Sequence, residues 1–499
     1  MTVDARAHPS PGPAQRPNRK ERDAMIHSKR RHAMQAAAAA TTALMLQRPA
    51  WAAVDPDVIV LGAGLAGLNA ALQLEAFGLR VRVLEASHRI GGRLHTLDEV
   101  QGHPEAGGNQ IGLAYARTVD TAKRLGVELL PMGRSPLFKD DRLVYFIDGR
   151  RLSSSEWAAS PANPMPPALR RLPPDRALGR LIGANPLRSI GAWRDPANFI
   201  YDVPALDELR AAGLSPAALA LLDVNNSYGP TLADTSLLNL HYVNANFTEI
   251  MKFRGPTFSV KGGNQRLPEA MAKALKGELR RGSRVTDIDS DDRGVAVRCA
   301  DGSRHRARFV VCALPLPALR NVRLRPGLPD RQAEAVSQLA YARVTQIHLE
   351  VLEPFWERDG LSPYLWSNGP LERIFPNDEQ ANGRATSLSV WVNGAGTSRW
   401  DALTDPQAAQ LAIDELVKVY PNARGAVRMA ARVAWHSDPL AGGAWANWWP
   451  GQISRYAPSL GTPHGRVHFA GEHTTHTLRG MEGAMESGER AAAEILGRL

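Results

Sequence analysis

The chain has 499 residues, is 44% hydrophobic and carries a formal net charge of +10. That is enough apolar material for a large core and more chain than one domain needs. Residues 1–52 hold nine Lys or Arg against three Asp or Glu, so the rest is nearly balanced, which excludes reading the basicity as nucleic-acid binding.

The N-terminal segment reads as an address. Arg30 and Arg31 precede a short Ala- and Leu-rich stretch, and Ala50-Trp51-Ala52 fits a small-x-small cleavage site. This resembles a twin-arginine export signal over residues 1–52 and predicts a periplasmic protein exported folded. The alternative is a disordered basic tail on a cytoplasmic protein. No segment is apolar and long enough for a membrane span.

Val58 to Leu61 then predict a buried parallel strand. Gly62 permits a sharp turn, Gly64 lets a pyrophosphate approach the backbone, and Gly67 lets a helix pack closely on the strand. The helix starting near Leu65 and Ala66 aims its free N–H groups at phosphate. Arg80 to Leu84 form the next strand, closed by Glu85, whose carboxylate can accept both ribose hydroxyls and disfavours a 2′-phosphate. Strand, turn, helix, strand and acid arrive in the order of a Rossmann dinucleotide site, so the fold class is α/β. Arg89-Ile90-Gly91-Gly92-Arg93 adds a second anion-binding backbone segment, which resembles the FAD signature of glutathione-reductase-like flavoproteins rather than an NAD site.

Ala158 to Asp175 is loop-like, and Val285 to Val297, with Asp291-Asp292-Arg293-Gly294 in its middle, predicts a hairpin. The two cysteines, Cys299 and Cys312, lie in apolar runs and read as core thiols, with a single disulfide as the alternative. Val467 to Ala470 predict a strand that turns out at Gly471-Glu472. Gly480 to Leu496 predict a helix whose first turns are Gly- and Ala-rich, able to press a positive N-terminus against a flat ring. No metal-ligand, Ser-His-Asp or paired-carboxylate spacing is convincing.

The pair GAGLAGLNAA…VLEASHRIGGR and FAGEHTTHTLRGMEGAMESGERAA resembles the flavin-containing amine oxidase family, which includes monoamine, polyamine and L-amino acid oxidases. The match extends through Glu105 to Gly112, Lys261-Gly262-Gly263, Val310 to Pro315 and Pro439 to Gly443. The resemblance implies a glutathione-reductase-like FAD domain over residues 54–135, 255–330 and 440–499. An α+β substrate domain over 136–254 and 331–439 would interleave with it. It implies FAD contacts from Gly62, Gly64, Leu65, Ala66, Gly67, Glu85, Ala86, Arg93, Gly108, Asn109, Val285, Gly471, Glu472 and Met481.

The expected reaction takes a hydride equivalent from the carbon beside an amine nitrogen to flavin N5, and the imine then hydrolyses. Trp445 matches the aromatic residue that relatives place beside the flavin, with Trp448 and Trp449 as weaker candidates. Gly480 stands where monoamine oxidases carry the second aromatic. Gln346 stands where many relatives carry a lysine that holds water near N5, so the acceptor is O2 or a redox protein. His348 shares its strand face and is expected to be structural. Gln110 falls where L-amino acid oxidases carry a carboxylate-binding arginine, which favours an amine without an α-carboxylate. No cysteine follows Cys312, so the FAD is expected to be noncovalent. An amine dehydrogenase, an L-amino acid oxidase and a desaturase or protoporphyrinogen-type oxidase are the alternatives. Oligomeric state is left open.

Overall fold

The computed structural model describes residues 55–132, 143–378 and 384–499; the expected export signal lies outside them. Asp55–Arg498 form one compact unit, built on two large sheets that draw on different stretches of chain.

The first is a five-stranded parallel sheet. Its order is Val467–Phe469, Phe309–Cys312, Val58–Leu61, Val81–Leu84, Glu278–Arg280. Val58–Leu61 sits centrally, Val58 opposite both Phe309 and Val81, and all four of its residues are fully buried. An all-apolar run is what a strand covered on both faces requires. The expected hairpin is present: Val285–Ser290 pairs antiparallel with Val295–Cys299. Asp291 Oδ1 accepts the N–H groups of Arg293 and Gly294 at its turn. Both cysteines are buried and free, and burial pushes the Cys312 thiol up to about 12.

The second sheet has seven strands. Its order is Val427–Ala434, Val344–Val351, Ala385–Asn393, Arg373–Asp378, Leu365–Ser367, Val144–Ile147, Arg150–Ser153. Period-two alternation gives its two central strands different faces. Ile347, Leu349, Leu388, Val390 and Val392 pack under the helix Asp405–Val419 through Ala408, Ala412 and Leu416. The opposite face carries Val344, Gln346 and His348, in register with Asn393, Trp391 and Ser389. A core therefore fixes one face while leaving the other free for chemistry.

Two helices close the first sheet. Leu65–Ala76 follows the first glycine turn and Gly480–Leu496 ends the chain. They touch nearly backbone to backbone: a Cβ on Gly488 would lie 2.2 Å from Ala66 O. Asn69 Nδ2 donates to Met485 O at 2.7 Å across the same contact. The alternation of small residues in the last helix is thus a packing requirement. Among the described residues no helix is long and apolar enough to cross a membrane.

Gly488→Ala is expected to force the helices apart at an overpacking cost of about 1–3 kcal/mol. A thermal melt of the purified variant should show a clear loss of stability, whereas Gly327→Ala, where an added Cβ meets nothing and φ is not positive, should lose less.

Candidate active site

One cavity of about 640 Å³ runs between the two sheets and is lined by both glycine-rich ends of the chain, within the range of cofactor sites. Glu85 and Glu472 border the same space.

At one end the turn after Val58–Leu61 places Gly62 at φ +99°, a conformation costly for other residues. Gly67 has no room for a side chain, since its Cβ would lie 2.0 Å from Gly62 O. The helix Leu65–Ala76 starts at Gly64 without a side-chain cap. Its first N–H groups are left for a ligand beside Gly64, Leu65 and Ala66, all of which line the cavity. Gly91 N donates to Ala63 O at 2.9 Å, so the second glycine pair lies directly against the first. Arg89 holds that pair by donating to Leu94 O and Gly92 O.

Glu85 is fixed by backbone: Oε2 accepts from Ala63 N at 2.6 Å and Oε1 from Ser87 N at 2.7 Å. Burial raises its pKa, against the opposing pull of these N–H groups and Arg89. Ala86 and Val285 line the cavity beside it. An acid so placed, an uncapped helix end and glycines that exclude Cβ atoms together suit an adenosine dinucleotide.

In the middle, Arg93 Nη1 meets Glu472 Oε1 at 2.9 Å and Ala444 O at 3.1 Å. Ala446 N donates to the same Glu472 oxygen at 2.8 Å, and the Arg93 guanidinium sits 5.4 Å from the Tyr341 ring centre. Burial alone would raise the Glu472 carboxyl, but Arg93, then His473 and the Ala446 N–H, bring it below the usual value. Gly471, at φ +127°, lines the cavity beside it.

At the other end the final helix presents Gly480, Met481 and Ala484 to the cavity, again without a side-chain cap. Gly108 and Asn109 border the same space. Trp445 and Gln346 face it too, and two tryptophans join them that sequence reasoning missed, Trp391 and Trp435. Trp391 was legible in principle, as the one bulky residue on the Ser-rich face of Ala385–Asn393. Trp435 carried no comparable signal; its Nε1 donates to Ala106 O at 2.6 Å. Trp391 Nε1 donates to Asn393 Oδ1 at 2.7 Å, Asn393 Nδ2 to Ser227 Oγ at 2.7 Å, and Trp445 Nε1 to Ser227 O at 3.2 Å. One loop residue thereby tethers two indoles.

Gln110 is exposed and outside the cavity lining. Its neighbour Ile111 is drawn inward by exchanging backbone hydrogen bonds with Phe258, so Gln110 turns away. Gly67 also stands back, serving the helix packing. Trp448 is buried in the core, 5.6 Å from Trp193, and Trp449 is exposed; neither lines the cavity.

Supporting the Gly107–Asn109 segment is a buried carboxyl. Glu105 Oε1 accepts from Asn264 N at 2.6 Å and from Thr96 Oγ1 at 3.0 Å, and Asn264 Nδ2 donates to Gly108 O at 2.8 Å. Burial pushes Glu105 up to about 7, and Glu372, behind Asn393, likewise to about 7.

The family model described as flavin containing amine oxidoreductase matches residues 65–496. The flavin-dependent L-tryptophan oxidase RebO of Lentzea aerocolonigenes is 28% identical, over 88% of this chain and 97% of its own. The flavin-containing amine oxidase B of Canis lupus familiaris is 26% identical, over 88% and 86%. Among solved structures, cyclohexylamine oxidase from Brevibacterium oxydans IH-35A superposes with a TM-score of 0.75 at 25% identity, covering 89% of this chain and 99% of that one.

Two outcomes are expected. Glu85→Gln keeps one acceptor but sets an NH2 group against a backbone N–H. The loss of a charged hydrogen bond, about 1.5–3 kcal/mol, should weaken dinucleotide retention roughly tenfold to a hundredfold in an equilibrium dialysis measurement. The second concerns pH. Folded Glu105 and Glu372 titrate above the unfolded value of about 4.3, so the native state binds more protons and stability falls as pH rises through that window. Melting temperature should rise as pH is lowered from 8 to 6.5. The double variant Glu105→Gln/Glu372→Gln should flatten that rise. Below pH 6.5, His95 and His473, both lowered to about 4 by burial, oppose the effect.

Proposed function

The chain belongs to the flavin containing amine oxidoreductase family, and we propose that it binds FAD noncovalently and oxidises an amine lacking an α-carboxylate to an imine, which water hydrolyses. The carrying observation is the character of the cavity beyond Glu472: Trp391, Trp445 and Gln346 face it, with no uncommitted cation among the described residues that line that end. Of the three arginines that border the cavity, Arg89 is spent on backbone carbonyls and Arg93 on Glu472. Arg284 adjoins Val285, at the Glu85 end. A substrate carboxylate would find no guanidinium fork there.

Bound flavin supplies the two-electron acceptor. The rest falls to the protein. Glu85 takes the ribose hydroxyls, and the uncapped N-terminus at Gly64 faces the pyrophosphate. The final helix turns its positive end toward the ring system. Trp391 and Trp445 exclude water, and desolvation there lowers the pKa of an amine so that it binds neutral. With only Cys299 and Cys312 in the sequence, and neither at the cavity, no thiol is placed to bond the cofactor. Gln346 brings no positive charge, so an acceptor other than O2 remains part of the proposal. So do the interleaved FAD and substrate domains and export through the Arg30-Arg31 signal.

A second reading, oxidation of L-amino acids, is favoured by relatives such as the L-tryptophan oxidase and the L-amino-acid oxidase of Demansia vestigiata, 25% identical over 88% of this chain.

Anaerobic titration of the purified holoprotein separates the two. Cyclic and arylalkyl amines are expected to bleach the flavin band, and L-amino acids to leave it at the same concentration. Bleaching by L-amino acids alone, or by neither class, overturns the proposal. Admitting air afterwards and timing the return of the band tests O2 as acceptor.

A further inference from the structure

Gln346 and Trp391 are register partners on the sheet face that borders the cavity. Behind Gln346, away from the cavity, lies His348, completely buried. Gln346 Oε1 is 2.9 Å from His348 Nε2, and His348 Nδ1 is 3.1 Å from Ser389 Oγ. Ser389 Oγ accepts from Asn377 Nδ2 at 3.0 Å, and Asn377 Nδ2 also reaches Ser387 Oγ at 3.2 Å. All five groups belong to three adjacent strands of one sheet.

The protons of this row can be assigned by bookkeeping. Burial lowers the His348 imidazole to about 3, so the ring carries a single N–H. With the Asn377 amide turned as in this structure, its NH2 toward both serines, Ser389 Oγ accepts from Asn377. If the Ser389 hydroxyl donates to a bare Nδ1, His348 Nε2–H donates to Gln346 Oε1 and every donor has an acceptor. The reverse tautomer, with the proton on Nδ1, makes Ser389 accept twice. Its own proton then has no acceptor among the described residues, and the Gln346 NH2 must turn inward. A buried donor left so costs about 1–3 kcal/mol, enough to decide the tautomer.

We propose that His348, held by Ser389, is a positioning residue that fixes the Gln346 amide with its carbonyl inward and its NH2 group toward the substrate end of the cavity. That wall then offers uncharged hydrogen-bond donors. Its occupant is a neutral lone pair, on oxygen or nitrogen, whereas an ammonium group finds no acceptor on this amide. The orientation stands on the hydrogen bonds and on a neutral, buried ring; its bearing on substrate rests on the amine reading above.

Two measurements test it on the holoprotein. The first needs no substrate, so its result is independent of the amine reading. Long-range proton–nitrogen correlation on 15N-histidine-labelled protein, with His348→Gln used to assign the missing ring, is expected to show the His348 proton on Nε2 and none on Nδ1. A proton on Nδ1 overturns the proposal. The second is kinetic, with an amine that reduces the flavin. His348→Gln, whose amide N–H can stand in for Nε2–H, is expected to keep kcat/KM within threefold. His348→Leu, at equal flavin content, should lose at least tenfold. Equal activity in both variants, or equal loss in both, overturns the positioning role. If His348→Leu does not fold, Ser389→Ala replaces it, with an expected loss of threefold or more and the same overturning result at wild-type activity.

Discussion

The ion pair between Arg93 and Glu472 joins residues 379 positions apart at the centre of the cavity. Neither charge could be buried alone, since removing one partner of such a pair typically costs about 3–5 kcal/mol. The surrounding structure is arranged to complete it. Ala446 N fills a further site on Glu472, Ala444 O takes a second Arg93 proton, and the Tyr341 ring covers the guanidinium. Through these contacts the N-terminal glycine turn, the 440s loop and the final helix are held in one geometry. The cavity between them follows from that constraint.

The second organising principle is the two-faced central strand. Val344–Val351 gives Ile347 and Leu349 to a helix-covered core and Gln346 and His348 to the other side. A one-residue slip would exchange these sets. The apolar face therefore sets the address of each polar side chain to within one residue. Chemistry on such a strand inherits the rigidity of the core behind it.

How much was readable beforehand follows from the range of the forces involved. Val58–Leu61, the helix beginning at Leu65 and the helix Gly480–Leu496 were legible because local pattern and turn chemistry specify them. The 291–294 turn was legible for the same reason, through Asp291 capping its own loop. Trp391 had a signal in the alternation of its own strand, but Trp435 and the Ser227 tether had none, because their meaning depends on strands and loops brought together from remote segments. Gln110 was misplaced by counting along an irregular stretch, where the Ile111–Phe258 pairing sets which side chain turns inward. Trp448 and Trp449 adjoin Trp445 in sequence, yet one went to the core and the other to the surface.

Both helices that end at the cavity begin without a side chain to satisfy their first N–H groups. In most helices a Ser, Thr, Asp or Asn performs that task. In the proposed FAD complex the ligand takes that task, which would make the dinucleotide a piece of the architecture as well as a reagent. Empty and loaded forms then cannot share one stability: each tightly held ligand adds RT ln(1 + [L]/Kd) to the folded state. Cofactor supply in the compartment of synthesis would consequently govern how much of the chain survives to act.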